Sequence, residues 1–140
     1  MSFSRRDALV LGVGGLAVLP FGSAAIAAPG DAEIAEIAEF TGGAAVGEGD
    51  LAIEAPELAE NGNFVQIEIT APGAEEVMLV APENPDIVVF HLSFGPKAAG
   101  NRFKTRVRMA KTQDLVLTAR APDGTFTQVR RNVKVTAGGC

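Results

Sequence analysis

Two side chains in this 140-residue sequence have the chemistry for nucleophilic or metal-ligating work, His91 and Cys140, and each is the single representative of its type. A structural zinc site draws about four ligands, mainly from Cys and His, so one such chain cannot build it and no metal is expected. A Ser/His/Asp triad would have to recruit His91, with Ser93 too near along the same strand to serve as its nucleophile. His91 stands between Phe90 and Leu92 and reads as a hydrogen-bonded, partly buried strand residue. No Gly-rich phosphate loop follows a strand and opens a helix. Glu75, Glu76 and Glu83 read as turn charges, not as an acid/base pair. No catalytic residue and no cofactor is expected.

Cys140 is placed differently. It follows Gly138 and Gly139, directly after the strand-like run Val133-Lys134-Val135-Thr136. Free cysteine usually belongs among the most buried residues, whereas this one stands behind two glycines that do little to order the backbone. In an oxidising compartment an exposed thiol invites disulfide dimers and overoxidation. A neutral cysteine on a frayed tail and an interchain disulfide are the plainer readings. The functional reading is an arm. Four residues beyond Thr136 reach roughly 13–14 Å at about 3.3–3.6 Å each, enough to deliver a thiol-bound group into a narrow active site on another protein. A lowered thiol pKa needs positive neighbours or a helix terminus. Neither adjoins Cys140, and the nearest basic residue along the chain is Lys134. The cysteine therefore reads as a handle that other enzymes use.

The elements that position this arm begin after a targeting segment. Arg5-Arg6 precedes an uncharged run from residue 8 to 28, and Ala25-Ile26-Ala27 has the A-x-A form of a signal-peptidase site. Adjacent arginines before a weakly apolar, Gly- and Ala-rich stretch resemble a twin-arginine export signal, although Ala8 stands where that signal usually has Phe. About 20 apolar residues could also anchor a chain in a bilayer. Pro20, Gly12, Gly14, Gly15, Gly22 and Ser23 favour cleavage instead, after Ala27 or Ala28. Residues 1–28 are therefore expected to be a signal peptide, the mature protein periplasmic and no longer membrane-bound.

Without Arg5, Arg6 and Asp7, ten of the 12 basic and sixteen of the 17 acidic residues remain. That acidic balance, with no Trp or Tyr for stacking, argues against nucleic-acid binding. The charges are also segregated. Every acidic residue from Asp31 to Asp86 precedes the first Lys or Arg of the mature chain, Lys97. Either early and late strands pair and bring opposite charges together, or the surface is bipolar and orients charged partners.

Residues 31–40 read as a short helix capped by Asp31, with Ile34, Ile37 and Ala38 on one face and Gly42-Gly43 stopping it. A Gly-rich acidic linker reaches residue 50. From residue 51 the hydrophobic period becomes two. Val65, Ile67 and Ile69 alternate with Gln66, Glu68 and Thr70 after an Asn61-Gly62 turn signal. Residues 77–80 form a short apolar strand, and residues 87–94 are apolar on both faces and look central. Phe103, Thr105, Val107 and Met109 alternate with Arg102, Lys104, Arg106 and Arg108, whose basic face is either a solvated wall or a docking surface for an acidic partner. Residues 115–119 and 126–135 make a closing hairpin about Asp123-Gly124. Strands at this spacing predict an all-β, immunoglobulin-like β-sandwich over 51–136, preceded by a helix and linker at 29–50 and followed by the arm at 137–140. No βαβ pattern calls for a parallel sheet.

At this level the chain resembles the SoxY family, the sulfur-compound carriers of periplasmic thiosulfate-oxidising (Sox) systems. The likeness is carried by the twin-arginine start, the Ile-Ala-Glu-Phe-Thr helix end, Leu-Ala-Glu-Asn-Gly-Asn at 58–63, and Glu83-Asn84-Pro85. It continues through Val89-Phe90-His91-Leu92, the strand at 105–110, Asp123-Gly124-Thr125-Phe126 and Val133-Lys134-Val135-Thr136. Its most specific element is Gly138-Gly139-Cys140, since family members typically finish Gly-Gly-Cys-Gly-Gly. The resemblance implies that Cys140 carries the sulfur substrate, that the protein pairs with SoxZ, and that it is not itself an enzyme. It implies a cytochrome (SoxAX) that attaches thiosulfate oxidatively, a hydrolase (SoxB) that releases sulfate, and in some organisms a sulfane dehydrogenase (SoxCD). A non-catalytic immunoglobulin-like adaptor and a thiol redox or metal-delivery protein are the other classes the residues allow.

Overall fold

The computed structural model describes residues 34–137. In chain order the elements are α1 (Ala35–Thr41), β1 (Val46–Gly47), β2 (Ala52–Glu54), β3 (Leu58–Ala59), β4 (Val65–Thr70), β5 (Glu76–Val80), β6 (Val88–Ser93), β7 (Arg102–Val107), β8 (Gln113–Arg120) and β9 (Phe126–Val135). The period-two pattern sorts them into two layers. One sheet runs β2-β4-β7, the other β1-β9-β8-β5-β6, with β3 also on β9. Val65, Ile67 and Ile69 of β4 face Val77 and Leu79 of β5, Leu115 and Leu117 of β8, and Val133 of β9 in one core. Each such side chain, fully buried, contributes about 1.5–3 kcal/mol relative to exposure. The immunoglobulin-like β-sandwich expected from the alternation is present.

The closing hairpin forms as read, Gln113 opposite Val133 through to Arg120 opposite Phe126. On its far side β9 takes two short parallel partners, Val46–Gly47 against Phe126–Thr127 and Leu58–Ala59 against Lys134–Val135. Between them the chain leaves for the opposite sheet as β2. This parallel pairing departs from the sequence expectation, in which the lack of a βαβ pattern argues against a parallel sheet. Here one early segment divides between two sheets and needs no crossover helix. The stretch read as a linker to residue 50 thus contains β1. Gly49 within it lets the backbone pass β9, since a Cβ there would lie 2.8 Å from the Thr127 methyl.

The helix spans Ala35–Thr41, and Ile34, not Asp31, holds the N-cap position without a side-chain bond. Asp31 lies outside the described residues. Gly42 closes the helix with φ 62°, its N–H reaching the carbonyls of Ala38 and Glu39. The buried face carries Ile37 and Thr41, whereas Ala38 is exposed. Ile37 packs with Met78, Val80 and Val116 on the outer surface of the larger sheet.

That packing also corrects the reading of residues 87–94 as a central strand. β6 is an edge strand, paired with β5 on one side and with no other strand among the described residues. Its inner residues Phe90 and Leu92 pack on the core, while Phe40 of α1 covers His91 on the other face. Two-sided apolarity came from the helix above the sheet, not from a second neighbouring strand.

Candidate functional site

The arm that carries Cys140 begins where β9 ends, and that end is held from both flanks. On one flank the Lys134 N–H donates to the Glu57 carbonyl at 2.9 Å and the Thr136 N–H to the Ala59 carbonyl at 3.1 Å. On the other flank the Val135 N–H donates to Thr112 Oγ1 at 2.9 Å. The Asn61-Gly62 turn then takes over. The Gly62 N–H donates to the Ala137 carbonyl at 2.8 Å, and the Gly62 carbonyl accepts from the Met109 N–H at 2.7 Å. Asn61 shapes the turn by accepting the Asn63 N–H on its side-chain oxygen at 3.0 Å. Met109 is fully buried, so Ala137 is tied to the core through one glycine.

A polar clasp steadies the segment that carries Met109. The Asn84 side chain donates to the Arg108 carbonyl at 2.7 Å and accepts the Ala110 N–H at 2.9 Å. Gln113, buried, donates to Asn84 Oδ1 at 2.9 Å and accepts the Glu83 N–H at 2.9 Å. Side-chain amides satisfied this fully stiffen the loops they join.

Gly138, Gly139 and Cys140 lie outside the described residues. Ala137 fixes their origin: three residues further on, the Cys140 backbone lies within about 11 Å of it. Two large apolar side chains are exposed on the segments on either side of the Asn61-Gly62 turn. Leu58 on β3 is 52% exposed and Phe64, just before β4, is 69% exposed. Neither was singled out from the sequence. Phe64 stands in phase with Gln66 and Glu68, the polar face of its strand, which was the available signal.

The basic residues Arg102, Lys104, Arg106 and Arg108 all point outward, alternating with Phe103, Thr105, Val107 and Met109 as expected. β7 is an edge strand of the smaller sheet. Its charges are not all available. Glu68 across the sheet binds Arg102 and also Lys104, the latter at 3.2 Å. The hydrogen bond from Arg102, then that from Lys104, holds the Glu68 carboxyl below its ordinary value. Arg106 lies opposite uncharged Gln66. The same early-to-late pairing joins Lys111 to Glu83 at 2.8 Å and Arg120 to Glu76 at 3.1 Å. Charge segregation along the chain is thus answered in good part by strand pairing.

His91 lies on the outer face of β6, beneath Phe40. Its side chain is half exposed, with Nε2 3.7 Å from Glu76 Oε2 and the ring edge-on to Phe40 at 5.2 Å between centroids. Among the described residues no group of three or more His, Cys, Asp or Glu is arranged to hold a metal ion, and no helix is long and apolar enough to cross a membrane.

Comparison with known proteins places the geometry in context. Residues 37–140 match the family model of the sulfur oxidation protein SoxY. The structure of the sulfur carrier protein SoxY from Chlorobium limicola f thiosulfatophilum is similar, with a TM-score of 0.64 and 34% identity, over 73% of this chain and 94% of that one. A superoxide reductase (neelaredoxin) from Ignicoccus hospitalis is similar at a TM-score of 0.53 and 18% identity, over 61% of this chain and 79% of that one. That likeness is one of fold alone. No curated protein matches the chain.

Proposed function

The chain belongs to the SoxY family, and we propose that it is a sulfur carrier, holding thiosulfate-derived intermediates covalently on Cys140 and presenting them to partner enzymes in the periplasm. The observation that carries this reading is the extent of the family match, which runs through β9 and includes Gly138, Gly139 and Cys140. The relative from Chlorobium limicola, itself a sulfur carrier, spans the same sandwich at 34% identity. The anchoring of Ala137 supports it physically. A carrier needs a rigid body that partners can recognise and a short tether that starts from a fixed point.

The chemistry asks little of the carrier. The Cys140 thiol and the sulfane sulfur of thiosulfate join in an S–S bond, the thiol giving up its proton and the pair of sulfurs giving two electrons to an oxidant. A cytochrome such as SoxAX supplies that oxidant. Water then cleaves the bond to the sulfonate sulfur, releasing sulfate and a proton and leaving a persulfide on Cys140. That step belongs to a hydrolase such as SoxB, and oxidation of the remaining sulfur to SoxCD where it is present. The protein supplies attachment and delivery, not catalysis. SoxZ is its proposed heterodimer partner, and the twin-arginine route its export path. The outward basic residues of β7, Arg106 foremost, are proposed to orient an acidic partner.

Reconstituted thiosulfate oxidation tests the reading. Cys140→Ser abolishes turnover and leaves thermal unfolding almost unchanged, because it removes the thiol and alters a single side-chain atom. Turnover near the wild-type level in that variant would overturn the carrier reading.

A further inference from the structure

The outer face of the smaller sheet changes character along its strands. At one level the ladder sets Glu54 of β2 beside Glu68 of β4, and Glu68 beside Lys104 of β7. Glu68 binds both Lys104 and Arg102, so the cations of this end are answered within the sheet. The next outward row sets Gln66 opposite Arg106. Arg106 is exposed and makes no ion pair among the described residues.

Beyond that row the face ends on an aromatic ring. The buried pair Val65 and Val107 closes the ladder. Phe64 adjoins Val65 and Arg108 adjoins Val107, and both are exposed. Strand alternation puts Phe64 on the side of Gln66, and Arg108 on the side of Arg106. At 69% exposure, Phe64 is the most exposed large hydrophobic side chain among the described residues. A lone exposed apolar residue needs no explanation, but aromatic rings set among arginines are what interface centres are enriched in.

Charge decides what covers this ring. Arg106 calls for a carboxylate, whereas Glu54 and Glu68 repel one at the other end of the same face. An acidic surface is thereby held to the Phe64 end, where the ring needs an apolar pocket. Polarity decides how long the contact lasts. Gln66, Glu68 and Lys104 interrupt the face, which offers none of the continuous apolar area that permanent subunit interfaces bury. We infer that Phe64 and Arg106 form a two-part docking site on the outer face of the smaller sheet, occupied transiently by an enzyme that acts on the carrier and presents an apolar pocket rimmed by carboxylates. This deepens the carrier reading above and rests on it. The two parts act at different steps. An exposed charge steers encounter and sets the association rate, with a dependence on salt. A ring seated in a pocket sets the dissociation rate.

Stopped-flow binding tests this, with the protein in complex with SoxZ mixed against SoxAX, SoxB and SoxCD in turn, at low and at ordinary salt. For one of these enzymes Phe64→Ala speeds dissociation about tenfold, with the association rate within about twofold of wild type at either salt. Arg106→Gln slows association several-fold at low salt, loses that defect as salt rises, and leaves dissociation within about twofold. Phe64→Leu, which keeps an apolar anchor, retains most of the complex lifetime, and Val88→Ala on β6 of the other sheet changes neither rate. The Tm of Phe64→Ala and its mass in solution with SoxZ match wild type. Unchanged dissociation of Phe64→Ala from all three enzymes, while Cys140→Ser is inactive, overturns the docking site and spares the carrier reading. Loss of the SoxZ complex in Phe64→Ala assigns the face to the heterodimer and also overturns it. Wild-type turnover by Cys140→Ser would remove the carrier reading itself.

Discussion

Gly62 bonds Ala137 through its N–H at 2.8 Å and Met109 through its carbonyl at 2.7 Å, so one turn residue links the root of the cysteine arm to the centre of the core. Ala137, three residues before Cys140, is therefore held at a fixed point.

Asn61→Ala tests that link. The substitution removes the acceptor of the Asn63 N–H, one partly exposed hydrogen bond worth about 1 kcal/mol. The urea midpoint falls modestly, and amide exchange at Gly62 quickens more than at Val65 or Ile67. Equal exchange in both proteins would show that the turn holds without its side chain.

Gln113→Leu probes the clasp behind Met109. Leucine fills the volume but strands the Glu83 N–H and one lone pair of Asn84, both of which Gln113 satisfies. An unmet buried group costs about 1–3 kcal/mol, read as a fall in the free energy of urea unfolding with an unchanged m-value. No loss of stability would mean that water replaces the amide and that the clasp is not structural.

These contacts mark where sequence reasoning stops. The alternation of β4 and β7 was legible because one face of each is buried and period two records it directly. The closing hairpin was legible from Asp123-Gly124 between two apolar runs. The edge position of β6 was not, because covering by α1 and by a neighbouring strand both demand apolar residues. The parallel clasp of Leu58–Ala59 on β9 involves two residues and leaves no pattern. The anchoring of Ala137 could not be read, since Gly62 and Ala137 are brought together only by the fold.

Glu68 gives a prediction in pH. Its folded carboxyl is held below the ordinary 4.5 by Arg102 first and Lys104 second. A depressed folded pKa adds stability above the unfolded value and loses it as pH falls through the folded one. Glu68→Gln should therefore lower Tm relative to wild type at neutral pH. The gap narrows below about pH 4.5 and shrinks in high salt. A gap that widened in acid would contradict the assignment.

The basic edge is tested by reversing Arg106 and Arg108 to Glu. Exposed charges mainly set encounter rates and are screened over roughly 8–10 Å at ordinary salt. Association with at least one partner slows, most at low salt, while the buried Val107 and Met109 keep the core intact. Identical low-salt rates for SoxZ and every Sox enzyme would leave this strand a wall of the sandwich and nothing more.

The central claim is that sulfur rides covalently on Cys140, and intact-protein and peptide mass spectrometry after thiosulfate turnover addresses it most directly. The account predicts sulfur adducts confined to the peptide containing Gly138-Gly139-Cys140, both with and without the sulfonate group, removed by a thiol reductant and absent from Cys140→Ser. An unmodified Cys140 in protein actively turning over thiosulfate would contradict it.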